Sequence, residues 1–171
     1  NQADFGGALF VTAGGTVAVN ASHIQANTAI TSGGGIYNND TGRVVIDRSL
    51  LEGNTAQQGF GGAVRNFGQV TVSSSRLLSN TAGNGLGGAI ATGDGVGSAL
   101  AVSHSTLQHN SAGAGGALYQ LGGISTMTAN CIVDNSDTAV IYAAGASPLA
   151  ATGNWWGHPS GPAGAGPGVG D

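Results

Sequence analysis

Charge is scarce in this chain of 171 residues. Only 7% of its residues are Asp, Glu, Lys or Arg, all four basic ones are arginine, and the net charge is -4. Without a basic cluster there is no electrostatic footprint for nucleic acid or anionic lipid. The shortage of Lys and Glu argues against long helices, whose exposed positions draw on those residues. Cys131 stands alone, which excludes an internal disulfide. No window of about 18 apolar residues occurs, so no transmembrane helix is expected. The 33 glycines follow no period of three, which excludes collagen. No signal peptide opens the chain, and Asn1 falls inside a repeat, as expected of a processed or excised part of a longer product.

What is present is repetition. Val17–Ala29 reads VAVNASHIQANTA, Val44–Ala56 VVIDRSLLEGNTA, Val70–Ala82 VTVSSSRLLSNTA and Leu100–Ala112 LAVSHSTLQHNSA. Ser125–Asp137, STMTANCIVDNSD, is a worn copy. A glycine pair precedes each unit, at Gly6, Gly33, Gly61, Gly87 and Gly115, so the steps are 27, 28, 26 and 28 residues. Self-similarity at such a period is the mark of a solenoid.

Within a unit the apolar period is two, as in strands. Val17 and Val19 alternate with Ala18 and Asn20; Ser22 and Ile24 then alternate with His23 and Gln25. A third strand carries Leu9 and its counterparts Ile36, Val64, Ile90 and Leu118. The expected architecture is all-β: a single-stranded parallel β-helix of about six coils, each with three short strands. Successive coils would lie about 4.8 Å apart, with equivalent residues in ladders. Val19, Ile46, Val72, Val102 and Met127 should stack inward, as should Ile24, Leu51, Leu77, Leu107 and Ile132. Ser22, Ser49, Ser75 and Ser105 should stack at a bend. Asn27, Asn54, Asn80, Asn110 and Asn135 should form an asparagine ladder at a corner, because Asn tolerates a left-handed backbone and can bond the next coil.

Residues 1–153 are assigned to the β-helix and 154–171 to a capping turn and a Gly/Pro-rich tail. In the turn, NWWG, Trp155 is placed in the inward Ile24 column, and Trp155 with Trp156 is expected to cover the last coil. Residues 1–5 offer no amphipathic cap. Either further coils precede Asn1 or another copy docks there, which predicts end-to-end self-association and hence fibres.

The pairing of GGA-plus-aliphatic with apolar-x-x-Asn resembles the GGA[ILV] and FxxN repeats of chlamydial polymorphic outer-membrane proteins. Here the second motif is IQAN, LEGN, LLSN, LQHN and IVDN, with Ile or Leu in place of Phe. The same repeat occurs in large bacterial surface proteins described as right-handed β-helix proteins. The resemblance implies right-handed winding, an extracellular or cell-surface location, and a structural or adhesive role. Members usually carry a C-terminal membrane barrel or another anchor, and no alternating aromatic strands follow the repeats here.

A β-helix also serves polysaccharide lyases and hydrolases, which need clustered carboxylates and a base on one face. Asp40, Arg43, Asp47, Arg48, Glu52, Arg65 and Arg76 gather in the second and third coils. The residues aligned with Asp47 are Asn20, Ser73 and Ser103, so no column holds two carboxylates. His23, His104, His109 and His158 share neither a column nor metal-ligand spacing. No enzyme activity, metal or cofactor is expected. Ice binding would need a regular outward Thr-x-Thr array, and only Thr126-Met127-Thr128 occurs. The sequons Asn20-Ala21-Ser22 and Asn39-Asp40-Thr41 matter only where the source glycosylates.

One outward column remains as a candidate contact face: Phe10, Tyr37, Arg65, Ala91, Tyr119 and Tyr142, beside a strip of small residues. Aromatic rings over a flat strip suit a sugar chain or a neighbouring rod. The expected function is a non-enzymatic structural or adhesive surface element, with the repeating unit of a filament as one form of that role. The competing reading is a polysaccharide-binding or polysaccharide-cleaving rod.

Overall fold

The computed structural model describes residues 1–159 except 94, 96, 137, 144 and 145; the tail expected at 163–171 lies outside the described residues. Every described strand is parallel to its neighbours and pairs with the strand one coil away. The strands form four sheets where three were expected. The first contains Gln2–Phe5, Thr28–Ser32, Thr55–Ala56, Thr81–Leu86 and Ser111–Ala114. The second stacks Leu9–Val11, Ile36–Asn38, Val64–Asn66, Ile90–Thr92, Leu118–Gln120 and Val140–Tyr142. The third stacks Thr16–Asn20, Arg43–Asp47, Gln69–Ser73, Ala99–Ser103, Ile124–Thr128 and Ala150–Thr152. The fourth stacks His23–Gln25, Leu50–Glu52, Arg76–Leu78, Thr106–Gln108 and Cys131–Val133. Five full turns and a partial sixth result. The extra sheet arises because the Thr-Ala pairs after Asn27, Asn54 and Asn80, and the Ser-Ala pair after Asn110, make their own inter-coil bonds, as in the pairing of Ala29 with Ala56.

The expected registers hold. Val72 lies beside Ile46 and Val102, and Leu77 beside Leu51 and Leu107. Both columns point inward with Leu9's, and Ile46, Leu51, Leu77, Ile90 and Leu107 are wholly buried. Parallel stacking puts like beside like, so one apolar choice per column fills the core all along the rod.

The corners explain the residues between the strands. The left-handed backbone falls on the residue before each ladder asparagine, and not on the asparagine as expected: Ala26, Gly53, Ser79, His109 and Asp134 have φ between 52° and 61°. A second left-handed set, Ala21, Arg48, Ser74, His104 and Ala129, precedes the serine column. The polar residue that follows stabilises the bend by accepting a backbone N–H from the preceding coil. Ser49 N–H donates to Ser75 Oγ at 3.0 Å, and Asn54 N–H to Asn80 Oδ1 at 3.0 Å. The serine column continues where the motif wears out, because Asn130 and Asn154 replace serine: Ser105 N–H reaches Asn130 Oδ1, and Asn130 N–H reaches Asn154 Oδ1, each at 2.9 Å. The third corner needs both glycines of the pair. Gly61 has φ +69°, and a Cβ on Gly62 would collide with the Gly88 carbonyl of the next coil.

The turn at 154–157 stays in register with the helix. Trp155 pairs with Cys131, which places it in the outward column of His23, Leu50, Arg76 and Thr106, and its side chain is exposed. Trp156 takes the inward position and packs on the core. The expected placement of Trp155 was therefore one residue early, and in a strand a shift of one reverses the face.

Candidate functional site

The outer side of the second sheet carries the candidate contact column. Phe10 lies beside Tyr37, Tyr37 beside Arg65, Arg65 beside Ala91, and Ala91 beside Tyr119. In the last coil the column is occupied by Ile141; Tyr142 pairs with Gln120 and so belongs to the neighbouring column. Tyr142 is exposed but does not extend the aromatic row. Its misplacement came from aligning Ile141 with Leu118, where the structure aligns Val140.

The aromatic row is concentrated in the first three coils. The rings of Phe10 and Tyr37 are stacked, with centroids 5.1 Å apart and planes 3° from parallel. Phe5, from the first sheet, meets Tyr37 edge-on at 5.1 Å. Phe67, just past the second sheet, meets it tilted at 5.7 Å. Phe5 and Phe10 remain 41% and 49% exposed, although their rings are fixed by these contacts. Neither Phe5 nor Phe67 stands in the column. They reach it from the corners on either side, which column-by-column reading of the sequence does not show.

Arg65 does not point into solvent as expected. Only 5% exposed, its guanidinium lies 4.6 Å from the Phe60 ring centre and 4.3 Å from that of Phe67, and its Nη1 donates to the Thr92 carbonyl. Phe60 belongs to the variable-length loop 57–60, and Phe67 lies against Gly93, where any side chain would collide with the ring. Two phenylalanines from different corners thus close over the arginine as a cation–π sandwich. Arg65 supports the ridge from beneath and is not one of its contact groups.

At the rim, Tyr37 is half-buried. Burial raises its pKa above the ordinary tyrosine value; the positive charge of Arg65 opposes the shift and the negative charge of Asp40 adds to it. The hydroxyl therefore stays protonated at neutral pH and can donate as well as accept. Asp40 is exposed near it.

The other charged groups are dispersed. Asp47 accepts from Arg48 Nε and Ser73 Oγ, both at 2.7 Å; Glu52 accepts from Gln25; Asp134 accepts from Gln108 and lies 3.6 Å from His109. Among the described residues no group of three or more His, Cys, Asp or Glu is placed to hold a metal ion. Among the described residues no helix is long and apolar enough to cross a membrane.

A third polar ladder was not foreseen. Asn38 Nδ2 donates to Asn66 Oδ1 at 2.9 Å, and both side chains are buried beside the corner that follows the second sheet. The signal was present as the third residue of the strands IYN and VRN, but other coils put Val11, Thr92 and Gln120 there, and the column does not read as a motif.

No curated protein and no solved structure matches the chain. The family model described as right handed beta helix region matches residues 6–155, which take in every described strand except Gln2–Phe5. By that match and by the parallel coils, the chain belongs to the right-handed β-helix family.

Proposed function

We propose that the chain is a non-enzymatic rod of a bacterial surface, outside the cell, which acts as a structural or adhesive element through the ridge built from Phe5, Phe10, Tyr37 and Phe67. The observation that carries this reading is the ridge itself. Phe5 and Phe10 are exposed, and their rings are fixed by packing with the half-buried Tyr37, which Phe67 also touches. Exposed large apolar groups gathered in one place are the usual mark of a contact surface. Their fixed packing lowers the side-chain entropy lost on contact. The carboxylates give separate support to the non-enzymatic part, since Asp47, Glu52 and Asp134 are each engaged with a different polar partner and none shares its column with a second acid.

The test has two parts. Antibody raised against the chain should label intact cells of the source, and protease treatment of those cells should remove the label. Beads coated with the chain should adhere to the surface that the source colonises, and coating with the Phe10→Ser/Tyr37→Ser variant should reduce adhesion. Label seen only after permeabilisation, or equal adhesion by the variant, would overturn the proposal. So would cleavage of an acidic polysaccharide by the purified chain.

A further inference from the structure

We infer that the corner around Gly123 is a site for buried water, bound by Gln120 Oε1, Ser98 Oγ and Ser125 Oγ. Nothing in this site depends on the contact surface proposed above.

Buried polar atoms point to the site. Among the described residues, Asn38 Oδ1, Ser98 Oγ, Gln120 Oε1 and Ser125 Oγ are buried without a hydrogen-bond partner within the protein. The last three gather where the second sheet turns into the third, in the fourth and fifth coils. Gly123 lies among them. Gln120 Nε2 donates to the Gly123 carbonyl at 3.0 Å, and a Cβ on Gly123 would fall 2.9 Å from that of Ser98. Ser125 follows Gly123 by two residues and stands inward, beside Leu100 of the coil below. The sequence makes room there, because other coils put Val17, Val44, Val70 and the larger Leu100 in the position of Ser125. Space of that kind lined by polar atoms takes up water, whereas an apolar lining stays dry. Asn38 Oδ1 belongs to the Gln120 column but differs in this respect. A Cβ on Gly42 would collide with it, so the Gly42 backbone covers that oxygen.

The donors and acceptors then select the ligand. Gln120 Nε2 is engaged with the carbonyls of Gly123 and Ser147, so the Gln120 side chain offers only its oxygen as an acceptor. Each serine hydroxyl has one proton to donate as well as an oxygen that accepts. A metal ion accepts no hydrogen bond and would leave both hydroxyl protons unplaced. Water donates to the Gln120 oxygen and accepts from serine, which complements the set. Leaving such oxygens buried and unbonded is costly, so a water that bonds them stabilises the fold. The site also lies on a polar link between coils. Thr92 Oγ1 donates to the Gly122 carbonyl of the fifth coil, and Gln120 Nε2 reaches Ser147 of the sixth. Water between Ser98 and Gln120 adds a further bond between the fourth and fifth coils, where the repeat is wearing out.

The test is a crystal structure of the full chain at a resolution that orders solvent, with a second crystal soaked in rubidium chloride. An ordered solvent peak is expected within about 3 Å of Gln120 Oε1 and of at least one of the two serine hydroxyls. The soaked crystal should show no anomalous signal there. Ser125→Val, which restores the residue found at Val17, Val44 and Val70, should abolish the peak. The inference fails if the wild-type site shows no peak, if the peak bonds fewer than two of the three oxygens, or if the side chains close on direct hydrogen bonds instead. Rubidium signal at the site would assign it to a cation and overturn the water. A peak of wild-type occupancy in Ser125→Val would remove Ser125 from the site and overturn it as stated. The wild-type crystals decide the matter even if that variant does not fold.

Discussion

Asn54 and Asn80, twenty-six residues apart in sequence, lie one above the other, with Asn54 Nδ2 donating to Asn80 Oδ1 at 3.0 Å. The same oxygen also accepts the Asn54 backbone N–H, and Asn80 Nδ2 donates to the Leu51 carbonyl and to Asn110 Oδ1. One amide therefore joins three coils, and it is fully buried.

Asn80→Ala should accordingly cost much more than a surface substitution. It leaves the Asn54 N–H and amide, and the Leu51 carbonyl, without that partner. Each such buried loss costs about 1–3 kcal/mol, and partial relaxation should leave a total of about 3 kcal/mol. Urea unfolding followed by circular dichroism measures it. Asn80→Asp should also destabilise, since a carboxylate restores the acceptor but cannot donate to Leu51. A change below about 0.5 kcal/mol for Asn80→Ala would mean that the ladder does not bind the coils together.

The left-handed corners give a matched pair of substitutions. Gly53 and Ser79 occupy equivalent corners, at φ 61° and 53°. A Cβ on Gly53 would meet nothing within 4 Å, so Gly53→Ala tests backbone strain alone. It should cost about 1 kcal/mol, and Ser79→Gly should stabilise by about 0.5 kcal/mol after the added freedom of the unfolded chain is subtracted. The check is the shift in thermal midpoint of each variant. If both variants shift in the same direction, the corner geometry is not what sets these residues' cost.

These corners also show how far the sequence could be read. Alternation in VTVSSSRLLSN gave the two inward columns, and the recurring Asn and Ser gave two polar ladders. Both signals survive because stacking places like on like. The first sheet was missed because its Thr-Ala pairs carry no apolar periodicity. The burial of Arg65 was missed because it depends on Phe60 and Phe67, which lie in corners of irregular length. Tyr142 and Trp155 were each misplaced by one residue in the worn coils, where too few matching residues fix the register. The buried Ser125 hydroxyl, without a hydrogen-bond partner in the column of Val17, Val44, Val70 and Leu100, marks the same decay.

Acid should act on the third sheet through Asp47. Its pKa lies below the ordinary value because the Ser73 hydroxyl and then the Arg48 side chain bond the ionised form. A folded-state pKa below the unfolded one contributes stability at pH above the unfolded value near 3.9, and that contribution disappears as pH falls through the folded value. Ser73→Ala should move the Asp47 titration back toward the ordinary value, as followed by carboxyl carbon chemical shifts in nuclear magnetic resonance. An unchanged titration in Ser73→Ala would assign the shift to Arg48 instead.

The last coil should depend on Trp156 more than on Trp155, although the two are adjacent. Trp155 bonds its backbone to Asn130 and Ile132, and its indole faces solvent. Trp156 packs its indole against the core, in the column that ends at the fully buried Ile132. Removing the indole would uncover apolar surface beside backbone that already has the shape of a stacked coil. Such an end invites pairing with another rod. Trp156→Ser should destabilise the chain by about 2 kcal/mol, less than for a fully buried indole. It should also cause concentration-dependent association in sedimentation velocity. Trp155→Ser keeps the backbone pairing and should do neither. If the two variants sediment alike and unfold alike, the inward indole does not protect this end of the rod.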